Sequence, residues 1–163
     1  MRNRSMRFQA KTKLQSVSLP AWTASGTAQF AIFALSDHFL RVKPNRLILK
    51  KISYVTGTVP VFGTTGLINI FKKSIGVAAV QLVTSFSLAA GVTANEALAI
   101  PFDATVTIQN RILAGQDSLY GTLVAGSTVT TPAPAFAHGL GVEFQFIDIQ
   151  GDPFMDADGD LAG

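Results

Sequence analysis

Residues Thr105 to Ala125, TVTIQNRILAGQDSLYGTLVA, set the period on which the rest of the chain must be built. Ile108, Asn110 and Ile112 alternate with Gln109, Arg111 and Leu113. Leu119, Gly121 and Leu123 alternate in the same way with Tyr120, Thr122 and Val124. Successive side chains of a strand point to opposite faces, so a period of two predicts strands. The stretch reads as a hairpin closed by Ala114-Gly115-Gln116-Asp117, in which Gly115 supplies the backbone freedom of the turn and Asp117 caps it.

The same period recurs elsewhere. In TAQFAIFAL, Phe30, Ile32 and Ala34 share one face and Ala31, Phe33 and Leu35 the other, so both faces of this strand are expected to be covered. Leu47–Val55, Leu67–Lys73 and the 79–89 stretch read as further strands, as does Val142–Ile149. Ala97–Phe102 is a short one, placed at an edge or bulge by Pro101. Lys50 and Lys51 fall on opposite faces of a regular strand, which would put at least one at an edge or interface. Ile75–Ala94 is twenty uncharged residues, long enough to cross a bilayer as a helix. Yet Val80, Leu82, Thr84, Phe86 and Leu88 alternate with Gln81, Val83, Ser85 and Ser87, which predicts a strand there instead. About eight strands, no amphipathic helix and no internal repeat point to an all-β antiparallel sandwich or barrel.

Charge constrains the surface. Only 14% of the 163 residues are charged, against about 25% in an ordinary soluble domain. Part of the surface is therefore expected to lie against other subunits. The twelve Phe, beside two Tyr and one Trp, agree with this, since Phe brings apolar area without a polar handle. Residues 1–95 hold twelve cations against one acid, and residues 96–163 hold one cation against nine acids, giving formal charges of +11 and −8. Arg2, Arg4, Arg7, Lys11 and Lys13 form a basic arm. It reads as a solvated tail, a non-specific contact to nucleic acid or an anionic membrane surface, or an arm docked on a neighbouring subunit. No apolar segment of the secretory kind follows it.

Few residues offer chemistry. The absence of Cys excludes disulfides, thiol catalysis and thiolate zinc sites. His38 and His138 are a hundred residues apart, both in expected loops. A triad drawn from Ser118, Asp117 and either His lacks a nucleophile elbow, so no enzyme is expected, and no cofactor. Asp156, Asp158 and Asp160 in the terminal DADGD are a candidate Ca²⁺ ligand set, although the pattern lacks the closing Glu of an EF-hand. Trp22, beside Pro20, reads as a core or interface anchor. The 126–141 stretch, with Pro132, Pro134, Phe136 and His138, reads as an outer contact loop.

The runs ILAGQDSLYGTLVAGST and GLGVEFQFIDI resemble the closing strands of the single jelly-roll proteins of bacteriophage and other viral particles. RLILKKISYVTGT followed by INIFKK is similar to their first strands. The likeness spans residues 27–150 and implies an eight-stranded, two-sheet jelly roll that assembles into trimers, pentamers or a shell. Coat proteins of this kind often carry a basic N-terminal arm, and the family supplies no catalytic residues. The chain then divides into an arm (1–24), a jelly-roll domain (25–150) and a flexible acidic tail (151–163). The expected function is structural, in the virion, as coat, vertex or decoration protein. Copies of the chain and other capsid proteins are its partners, with the arm, Trp22, Phe30 and Phe33 at the contacts. The alternative is a carbohydrate- or receptor-binding β-sandwich such as a fibre tip, marked by Trp22, Tyr54 and Tyr120 if these reach one rim.

Overall fold

A computed structural model describes residues 12–22, 25–34, 45–88, 92–113, 116–126, 129–131 and 138–148. The described residues form eleven strands and one helical turn. In chain order these are β1 (Thr12–Ser18), β2 (Thr27–Ala34), β3 (Asn45–Thr56), β4 (Val61–Phe62), β5 (Gly66–Lys73), β6 (Val80–Ser87) and β7 (Leu98–Ile100). They continue as α1 (Ile108–Arg111), β8 (Ile112–Leu113), β9 (Ser118–Ala125), β10 (Val129–Thr131) and β11 (His138–Asp148). The 80–87 stretch is a strand, as its alternation predicts. No helix among the described residues is long and apolar enough to cross a membrane.

The strands build an all-β sandwich of two antiparallel sheets. The first runs β1-β11-β3, with β7 and β8 both on the far edge of β3; the second runs β2-β9-β5-β6. A small third ribbon pairs β10 with β4. The pairings are nested: β1 with β11, β2 with β9, β3 with β7, and β5 with β6 at the centre. Successive pairs in this nest lie in alternate sheets.

Both sheets turn their apolar rows inward onto one core. Leu47, Leu49, Ile52 and Tyr54 of β3, with Leu140, Val142 and Phe144 of β11, face Ile68 and Ile70 of β5, Leu82 of β6, and Leu119 and Leu123 of β9. Each such aliphatic side chain contributes roughly 1.5–3 kcal/mol by leaving water. β3 changes phase midway. A bulge opposite Glu143 and Phe144 lets Leu49 and Ile52 both point inward. The two residues between them, Lys50 and Lys51, are consequently both exposed on the outside, so neither needs an interface.

Three expectations are corrected. The 105–125 stretch is not a hairpin. Thr107 caps a single helical turn, accepting from Asn110 N (3.4 Å) while Asn110 Oδ1 accepts from Thr107 N (3.0 Å). Ile112 and Leu113 then join β3 in the first sheet, and β9 lies in the second, so the chain changes sheet where a tight turn was expected. The fold also begins earlier than residue 25, because β1 is an integral strand and Val17, Leu19 and Trp22 belong to the core. Finally, the outer side of β2 is open: Thr27, Gln29 and Ala31 are exposed, while Phe30 and Ile32 are buried.

Candidate functional site

The strand directions divide the molecule into two ends. At one, here the loop end, lie the described residues 19–22, 25–26, 57–65, 88, 92–97 and 126. At the other, the arm end, β1 begins at Thr12 and β11 finishes at Asp148, opposite the first residue of β3, Asn45. The turn between β5 and β6 belongs to the arm end as well, since Lys72 Nζ donates to the carbonyl of Ile112 (3.0 Å), itself paired with Ile48 of β3.

The loop end is bound together by backbone hydrogen bonds between its connections. Ser25 N donates to Gly126 O (2.6 Å), Gly126 N to Thr65 O (2.9 Å), Asn95 N to Thr56 O (2.8 Å) and Leu19 N to His138 O (3.2 Å). Beneath them sits an aromatic cluster. Trp22, 4% exposed, meets Phe62 edge-on at 4.8 Å and stacks on His138 at 6.1 Å. Tyr54 lies edge-on to the same imidazole at 5.8 Å.

The protons of this cluster can be assigned. His138 Nε2 lies 2.8 Å from Pro20 O, which only accepts, so Nε2 carries the hydrogen. Nδ1 is then the acceptor and takes the hydrogen of the Tyr54 hydroxyl at 3.2 Å. The ring is neutral. Burial holds His138 below the ordinary histidine range, partly offset by the Pro20 carbonyl, and burial likewise pushes the Tyr54 hydroxyl up. His138 is thus the first residue of β11 and part of the core, not a contact residue of an outer loop. Its neighbours Pro132, Pro134 and Phe136 lie outside the described residues.

The other expected residues are distributed as follows. Arg2, Arg4, Arg7 and Lys11 lie outside the described residues, and so do Asp156, Asp158, Asp160 and His38. Lys13 stands in β1 opposite Phe144, and Phe33 in β2 opposite Leu119. Trp22 and Phe30 are buried in the chain's own core and present no surface to another subunit. Phe30 is held there by Gly121, its register partner, because its ring covers the place a Cβ would take. Ser118 and Asp117 stand at the arm end, where Asp117 Oδ1 accepts from Ser74 Oγ (2.6 Å), while His138 is at the loop end, so the triad drawn with His138 does not meet. No group of three metal-ligating side chains occurs among the described residues.

What sequence reading missed lies on the surface. At the arm end Ile75 (71% exposed) and Val77 (56%) stand in water beside Lys73, and Ile108 (57%) of α1 is exposed as well. On the outer face of the second sheet, Asn69 donates to Thr122 Oγ1 (3.1 Å) and accepts from Ser85 N (2.6 Å), next to a parallel pair of rings, Phe71 and Tyr120, 5.1 Å apart. On the outer face of the first sheet, Gly139 and Gly141 leave a shallow depression of about 390 Å³, flanked by Ser16, Ser18 and Val55. The signal for the arm-end patch was present in the uncharged SIGVAA turn. The register partners across the sheets were not readable from spacing.

No family model matches the chain, and no curated protein matches it.

Proposed function

We propose that this chain is a structural virion protein, a single jelly roll that acts as a coat, vertex or decoration subunit by assembling with copies of itself and other capsid proteins. The nested strand pairing carries this reading. A jelly roll is a long antiparallel ribbon rolled so that successive pairs of strands fall in alternate sheets. The orders β1-β11-β3-β7 and β2-β9-β5-β6 are what such rolling gives, with β4, β8 and β10 as short additions.

Two further observations support assembly. The basic segment Arg2–Lys11 joins the fold at Thr12, at the end that also exposes Ile75, Val77 and Ile108. Uncovered aliphatic groups are suited to a neighbouring subunit, and the basic composition of the arm suits a neighbouring subunit, nucleic acid or an anionic membrane surface. The low charge content agrees, since a monomer this size ordinarily carries more. The alternative, a carbohydrate- or receptor-binding sandwich, has lost two of its three aromatic markers to the core, Trp22 and Tyr54. Only Tyr120, on Phe71, reaches an outer face.

Negative-stain electron microscopy of the full chain and of a chain lacking residues 1–11 tests the proposal. Closed rings or shells in the full chain, lost or reshaped in the shorter one, are expected. Single particles of monomer size in both, at every concentration and salt, would overturn it.

A further inference from the structure

The connections that close the loop end are nearly without ionisable side chains. The described ones, residues 19–22, 25–26, 57–65 and 126, contain none, and residues 92–97 contain only Glu96, which is exposed. His138 is buried among them. Tyr54 faces its ring from β3, Trp22 and Pro20 from the segment after β1, and Phe62 of β4 packs on Trp22. Tyr54 stays neutral between pH 5 and 7, because ordinary tyrosine titrates near 10 and burial moves it further away. Among the described residues packed on this cluster, His138 is the group suited to respond to that range.

Geometry says where a proton would go and what it would disturb. Nε2 already gives its hydrogen to Pro20 O. A second proton can enter only at Nδ1, which now accepts from Tyr54. The acceptor becomes a donor, and the Tyr54 hydroxyl must turn its own hydrogen away. The ring becomes a cation stacked on Trp22, with the Pro20 carbonyl but no carboxylate among its hydrogen-bond partners, and a buried charge without a counter-charge is costly. The strain falls on one place. His138 holds the Leu19–Trp22 segment by both its ring and its carbonyl, which accepts from Leu19 N.

We propose that His138 is an acid-operated latch on the loop end, released when Nδ1 takes up a proton. Release frees the Leu19–Trp22 segment from β11 and brings Trp22 toward water, while the paired sheets remain. The latch goes beyond the assembly reading and does not depend on it.

Trp22 is the chain's single tryptophan, so its emission reports this site alone. The full chain, titrated from pH 8 to 5, should show a reversible red shift and quenching with a midpoint below the ordinary histidine value of about 6.5. Its far-UV circular dichroism should hold. A ¹⁵N-histidine NMR titration should find His138 protonated at Nε2 at neutral pH and gaining its second proton with the same midpoint. A His38→Gln chain should keep the transition, and His138→Gln should lose it. Should His138→Gln fail to fold, the titration of the unaltered chain still decides. Tryptophan emission independent of pH, or His138 protonating without any change in that emission, would overturn the latch.

Discussion

The two ends of the sandwich are built on opposite plans. At the loop end, four connections are cross-bonded through their backbones over a buried cluster of Trp22, Phe62, Tyr54 and His138. At the arm end, the turn between β5 and β6 is held by side-chain bonds, Ser74 Oγ to Asp117 Oδ1 (2.6 Å) and Lys73 Nζ to Val77 O (2.6 Å), with Val77 N bonded to Ser74 O (3.3 Å), and its apolar side chains Ile75 and Val77 face water. Backbone groups bonded to one another, as at the loop end, leave little for a partner to gain. Uncovered aliphatic surface gains by being covered. Cross-bonded backbone marks the loop end, while exposed aliphatic side chains occur at both ends, Val59 and Val61 at the loop end and Ile75 and Val77 at the arm end.

The largest break should come from the loop end. Trp22→Ala removes the ring on which Phe62 and His138 pack, and a loss of about 3–5 kcal/mol is expected by chemical denaturation. Gly121→Ala tests the core between the ends. Its Cβ would fall on the Phe30 ring and 2.9 Å from Asn69 O, and overpacking of this kind costs roughly 1–3 kcal/mol. Tyr54→Phe leaves His138 Nδ1 buried without a donor, for a similar loss of about 1–3 kcal/mol, read from the shift in denaturation midpoint.

A pH series sharpens the same contrast. His138 binds its second proton less readily in the folded chain than in the unfolded one. Its contribution to stability is therefore fully present above the unfolded value of about 6.5 and is lost as the pH falls through the range below it. His138→Gln should flatten that part of the melting-temperature profile. The smallest effects belong to the arm end. Ile75→Ser and Val77→Ser should change stability by no more than about 0.5 kcal/mol, as exposed positions do. They should nonetheless weaken self-association measured by sedimentation. A loss of stability comparable to Trp22→Ala would remove the distinction between the ends.

Much of this architecture could be read in the sequence, and the exceptions share a cause. β5 alternates cleanly because one face lies on the core, while β6 buries Leu82 and Val83 in succession where its pairing with β5 shifts register. β1 does not alternate, since Leu14 is exposed and Val17 buried, and two apolar residues three apart give no period of two. The 105–113 segment alternates as a strand would, but Thr107 and Asn110 satisfy each other's backbone and turn it into a helical step. His138-Gly139-Leu140-Gly141 has the composition of a loop. It is a strand because those glycines face outward, where a Cβ on Gly139 would lie 2.7 Å from Val17 O of the adjacent strand. Among the described strands the two oppositely charged halves are interleaved. β11, from the acidic half, lies between β1 and β3 from the basic half. What spacing cannot carry is register, and register decides which aromatic is core and which is surface.

Assembly is the central claim, and the mass of the full chain in solution tests it most directly. Light scattering across a concentration series should return a discrete multiple of the 17.2 kDa subunit, a trimer, pentamer or closed shell. A mass of one subunit at all concentrations would contradict it.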